Sequence, residues 1–152
     1  MRISEVQKFI RDRLENDPFV SASRATVICA DDGDSVASVE KAMAEVGLAV
    51  IVAAPKWKPT SSSAKNAVGD LFLTVNVSEC PELNRTGDYT VGLDLAEHVA
   101  VLLNLEKPFP NADILALSKE GITSAASQDG SIVVWSVPFT TVHQISDLNK
   151  KG

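Results

Sequence analysis

Apolar residues recur along this chain with two different periods, and the alternation between them outlines the fold. Val6, Phe9, Ile10 and Leu14 fall at helical spacing and make one apolar face. Ser4 followed three residues later by Gln7 reads as a capping box, so a first helix is expected over residues 4–15. Asn16-Asp17-Pro18 should end it, because the residue before proline avoids the helical region. Residues 25–30, Ala-Thr-Val-Ile-Cys-Ala, form a short β-branched run of the length of a buried strand. Asp31-Asp32-Gly33-Asp34 then turns the chain. A second helix follows with Val36, Val39, Met43 and Val46 on one face and Gly47 as its stop signal. Residues 48–54 are a second apolar strand, which completes a strand–helix–strand unit.

Periodicity fails over residues 55–68, where two prolines and three serines predict a long loop. Period two is clearest over residues 70–79, with Leu71, Leu73, Val75 and Val77 set against Phe72, Thr74, Asn76 and Ser78. After a turn at residues 80–86, Asp88 or Thr90 is placed to cap a third helix carrying Val91, Leu95, Val99 and Leu102. Residues 104–111, with two prolines, close it. Strands are expected at 114–117, 122–126 and 132–143, and Asp129-Gly130 signals a hairpin between the last two. The order α-β-α-β-β-α-β-β-β requires some antiparallel pairing. The fold class is therefore α/β in the broad sense (α+β): one domain over residues 1–148, a mixed sheet with helices packed on it, and a loose tail at 149–152.

Composition narrows the function classes. One domain is the natural division of 152 residues, and a 45% hydrophobic content supplies a core. The net charge of −6 and pI near 4.8 argue against a general nucleic-acid binder and against an anionic membrane surface. Cys29 and Cys80 are too few for a disulfide scaffold and lack metal-ligand spacing. Cys29, inside an apolar run, reads as a small buried hydrophobe. The amino-terminal residues lack a signal peptide's apolar core, and the longest apolar stretch, 46–54, is far short of a membrane span. No cofactor or metal site is expected.

The candidate chemistry is sparse. Asp31, Asp32 and Asp34 follow a strand and precede a helix, where carboxylates can hold Mg²⁺ for phosphoryl transfer. The simpler reading, a turn plus a helix cap favoured by the dipole, is the one adopted. The same segment looks like the opening of a response-regulator receiver domain, and Lys107-Pro108-Phe109 resembles that family's later Lys-Pro. A receiver requires a phosphoacceptor aspartate at the end of its third strand, and Val75-Asn76-Val77 offers none. A receiver-like signalling or metal-dependent phosphoryl-transfer domain using Asp31 and Asp32 is therefore the alternative. His98 and His143 lie far apart without zinc-ligand spacing, and His98 is expected to be structural or solvent-facing. Ser61, Ser62 and Ser63 lack a Gly-x-Ser-x-Gly frame. No dinucleotide-binding or Walker pattern occurs.

Trp57 stands between Lys56 and Lys58 within the expected loop. It fits an exposed interface anchor, since tryptophan is enriched at hot spots, and equally a side chain folded back on its own sheet. Together Lys56, Trp57 and Lys58 are the candidate oligomer or partner interface. The loop is expected to act as an assembly arm, mobile in the monomer and ordered by its partner. Trp135, by contrast, fits one face of a strand.

The most informative stretch is Val75-Asn76-Val77-Ser78-Glu79-Cys80-Pro81-Glu82-Leu83-Asn84-Arg85. An alternating strand ends in an acidic residue, then proline, a hydrophobe and Asn-Arg, and leads into an apolar helix. This resembles the small tail-terminator, or tail-completion, proteins of tailed bacteriophages and prophages, as does the order of elements over most of the chain. In this sequence the motif residues are Glu79, Pro81, Leu83, Asn84 and Arg85. The resemblance implies a non-enzymatic virion-assembly protein that forms a ring, typically a hexamer. Such a ring caps the tail tube and offers a surface to the head-side neck. The implied partners are further copies of itself, the tail tube protein and a neck or connector protein. The implied location is the bacterial host cytoplasm and then the virion tail.

Overall fold

A computed structural model describes residues 2–30, 33, 35–63, 66–84, 91–110 and 112–146. The chain folds as an α+β domain, a mixed seven-stranded sheet with four helices on it. In chain order the elements are α1 (Ile3–Glu15), α2 (Pro18–Ala22), β1 (Thr26–Cys29), α3 (Ser35–Glu45), β2 (Leu48–Val52), β3 (Lys56–Ser63) and β4 (Asn66–Glu79). A 3-10 turn (Pro81–Asn84), α4 (Gly92–Leu103), β5 (Ala116–Leu117), β6 (Thr123–Ala126) and β7 (Val133–Ser146) complete it. The expected tail at 149–152 lies outside the described residues.

The sheet runs β1-β2-β4-β7-β5, with β3 also on β4 and β6 also on β7. Only β1 and β2 are parallel. β4 and β7 pair antiparallel along their whole fourteen-residue lengths, from Asn66 opposite Ser146 to Glu79 opposite Val133. This topology excludes the all-parallel sheet of a receiver.

Alternation along β4 sorts side chains between two faces. Leu71, Leu73, Val75 and Val77 point into the main core, where Val6, Ile10 and Leu14 of α1, Leu95, Val99 and Leu103 of α4, and Phe139 of β7 meet them. α3 covers the opposite face over β1 and β2 only, through Ala42, Val39 and Met43 against Ile28, Ala49 and Ile51. β2 is therefore buried on both faces, which is why it reads as a continuous apolar run. Val36 was expected on the apolar face of α3 but is 72% exposed, and Ala42 takes the buried place. Cys29 is buried in the core as expected.

Several local expectations need correction. Ser4 and Gln7 do not form a capping box: the N-cap of α1 is Arg2, with no side-chain cap. Gln7 instead lies buried and its amide donates to the Ala53 carbonyl, tying α1 to the end of β2. Asn16-Asp17-Pro18 does end α1, and it also starts α2. Asp17 accepts from the Phe19 and Val20 amides, with Pro18 at the first helical position.

The largest correction concerns residues 55–68. They do not form a long loop: β2 and β3 lie in succession along one edge of β4, separated only by residues 53–55. The result is an extended hairpin. Its outer arm escapes period-two analysis because Lys56, Lys58, Pro59, Thr60 and Ser61 are all exposed while Trp57 turns inward. Pro59 and the register shift between Pro59 and Ser61 are tolerated on an edge strand, where an amide need not join a ladder. The Asp129-Gly130 hairpin between β6 and β7 forms as expected. Asp129 accepts from Ser131 and Ser127, and these bonds lower its carboxyl to a pKa of about 2.

Gly69 is the position on which the hairpin depends. A Cβ there would sit 2.7 Å from Trp57 Cε2 and would collide with the Lys58 carbonyl oxygen. We expect Gly69→Ala to keep the fold but destabilise it by about 1–3 kcal/mol, the usual range for overpacking. Thermal unfolding followed by circular dichroism checks this. An unchanged melting temperature would mean that Trp57 does not pack on Gly69.

Candidate assembly surfaces

Two regions singled out by the sequence take definite shape. The first is the turn after β4. Glu79 ends the strand with its side chain nearly buried, and its Oε2 accepts from the Gly92 amide at 2.7 Å. The residue preceding α4, Val91, provides no side-chain cap, so the first orphan amide of the helix is met by a carboxylate from the neighbouring strand. A negative charge at this point is also favoured by the helix dipole. Gly92 is required there, since a Cβ would lie 2.9 Å from the Glu79 carboxylate. Asp88 and Thr90, the expected caps, lie outside the described residues, as does Arg85.

The other motif residues close the same junction. Pro81 opens the 3-10 turn, which runs to Asn84. The Cys80 amide donates to the Gly47 carbonyl at 2.7 Å. Leu83 then packs against Gly47, where a Cβ would come within 2.9 Å of Leu83 Cδ1. Gly47 has φ +77°, the left-handed conformation that ends α3. Glu79, Cys80 and Leu83 thus join the end of β4 to the start of α4 and the end of α3. Leu83 nevertheless keeps 43% of its surface exposed.

The second region is Lys56, Trp57 and Lys58, which the strand separates rather than gathers. Trp57 pairs with Leu71 and shares its inward face. It lies over Gly69, and its indole N–H donates to the His143 carbonyl at 3.1 Å. Of the two readings of this tryptophan, the one in which it packs on its own sheet holds, and the indole is half-buried rather than free. Lys56 and Lys58 are exposed on the opposite face, across from Phe72 and Asp70. His143 is buried below the hairpin, and burial pushes its imidazole below its ordinary pKa, favouring the neutral ring.

The remaining candidates do not converge. Asp31, Asp32 and Asp34 lie outside the described residues. His98 has a structural role, as expected: its Nε2 lies 2.7 Å from Asp17 Oδ2 and its ring stacks on Phe19 at 4.4 Å. This link between α2 and α4 was legible only in part, through the Asp-Pro start of α2. Among the described residues, no group of three or more His, Cys, Asp or Glu could hold a metal ion. No described helix is long and apolar enough to cross a membrane.

The Glu79 cap has a measurable consequence. Glu79→Ala should destabilise the protein by about 1–2 kcal/mol, the range for a lost helix cap. Glu79→Gln, which keeps an acceptor oxygen, should recover part of that loss. Equal melting temperatures for wild type and Glu79→Ala would contradict the capping role.

No protein-family model and no curated protein matches the sequence. Among solved structures, the chain is similar to one in a structure described as "Virion of native gene transfer agent (GTA) particle". The superposition covers 92% of this chain and 93% of that one, with a TM-score of 0.63 and 12% identity. At that identity the likeness is one of fold, and it extends over essentially the whole of both chains.

Proposed function

We propose that this chain is a non-enzymatic structural component of a phage-like virion and acts there as a tail terminator. In this reading it forms a homo-oligomeric ring, a hexamer, that closes the tail tube and presents a surface to the head-side neck. The observation that carries the reading is the whole-chain likeness in fold to a chain of a gene-transfer-agent virion. Nearly equal coverage of the two chains means that the likeness is not confined to a common submotif. The Glu79-to-Leu83 junction adds to it, because the segment of the sequence that resembles tail-completion proteins is a built feature that fixes α4 on the sheet.

Within the ring, the β3–β4 hairpin is the assembly arm. It is a preformed β element rather than a loop that orders on contact, so docking it costs little conformational entropy. The partners are other copies of the chain, the tail tube protein and the neck protein. The protein resides in the bacterial cytoplasm until it joins the particle.

Deleting the gene in a particle-producing strain and viewing the lysate by electron microscopy tests this function. The expected result is heads and tails that fail to join, with tubes of unregulated length. Intact particles with tails of normal length would refute it.

A further inference from the structure

Two exposed faces of this molecule carry opposite charge and point away from opposite sides of the sheet. The first is the outer face of the hairpin. Strand register places Lys56 beside Phe72, Lys58 beside Asp70, and Asp70 beside Val142, all on the face turned away from the main core. Phe72 is 37% and Val142 47% exposed, and α3 does not extend over this part of the sheet. Lys58 and Asp70 form no ion pair among the described residues.

The second face is the outward side of α4. Asp94, Glu97 and Val101 recur there at helical spacing, and Leu105 lies exposed two residues past the helix end. Val101 is 80% and Leu105 62% exposed. Leu105 also has φ +67°, a conformation that costs a bulky residue about 1–2 kcal/mol. It is held by hydrogen bonds from its amide to the Leu115 carbonyl and from the Leu115 amide to Glu106. The backbone thus bears strain while it keeps a leucine in water, which is unexplained within a single subunit.

We propose that the hairpin's outer face in one copy docks on the α4 stripe of the next. Lys56 and Lys58 meet Asp94 and Glu97, while Phe72 and Val142 meet Val101 and Leu105. The occupant is a second copy because both halves of the match lie on this one chain: a face on which Lys56 and Lys58 outnumber Asp70 beside two apolar residues, and an anionic face with two more. Since the halves face away from each other, a subunit cannot satisfy both by itself. The contact is heterologous and propagates until a rotation closes it, which is the requirement for a ring. This inference rests on the ring reading and specifies its interface. Because its charged pairs lie at exposed positions, association should weaken as salt rises.

Sedimentation velocity at low salt, to roughly 500 μM protein, tests it at concentrations that detect even weak specific contacts. Lys56→Glu with Lys58→Glu should weaken association by about tenfold or more, as should Asp94→Lys with Glu97→Lys. Combining all four substitutions should restore it. Val101→Ser, at a position 80% exposed in the subunit and with no change in charge, should weaken association independently of the charge exchange. Circular dichroism confirms that each variant is folded. If the wild type forms rings that neither charge reversal nor Val101→Ser weakens, this interface is wrong while the ring reading stands. If the wild type stays monomeric across the whole range, both fail.

Discussion

Every other element takes its position from the fourteen-residue antiparallel ladder between β4 and β7. Because the two strands stay in register without a break, alternation is preserved along both, and one face remains apolar from Leu71 to Val77. α1 and α4 bury their apolar faces against that surface. The outer edges of the ladder are each shared by two strands, β2 and β3 on β4, β5 and β6 on β7. A shift of one residue between β4 and β7 would turn the core residues to solvent and remove the Gly69 gap in which Trp57 rests.

Two small devices fix what the ladder alone leaves free. At one end, Glu79 reaches from the strand to the Gly92 amide and sets where α4 begins. Toward the other, Trp57 crosses Gly69 and bonds the His143 carbonyl, holding the hairpin against the sheet. Half-burying an aromatic side chain of this kind is worth about 1 kcal/mol, enough to bias an edge strand toward one orientation. What the hairpin leaves exposed is its lysine-bearing face. The same tryptophan that stabilises the hairpin therefore decides which of its sides stays exposed.

The fold was largely legible because most elements bury one face and so write a period into the sequence. The β4 alternation, the two-sided apolar run of β2, the Gly47 stop and the Asp129-Gly130 turn all follow from local chemistry. β3 was illegible for the opposite reason. Over residues 56–61 only Trp57 faces inward, so an exposed edge strand of lysine, proline, threonine and serine cannot be told from a loop. α2 was missed because its five residues carry no period, although Asp17-Pro18 is a start signal. Of the candidate site residues, Glu79 and Leu83 sit at one junction whose role depends on Gly47 and Gly92, too distant in sequence for spacing to connect them. Lys56, Trp57 and Lys58 are neighbours in sequence and diverge in space, because a strand sends alternate residues to opposite faces.

β3 pairs with residues 66–72 of β4 within the single subunit, so the hairpin is already built before any contact with a partner. Native-state hydrogen exchange on the free protein tests this most directly. Slow exchange is expected along β4 and β7. Along β3, protection is expected at alternate amides, since one edge of that strand pairs with β4 and the other faces solvent. Uniformly rapid exchange over residues 56–63 would show instead that β3 is not formed in the free subunit.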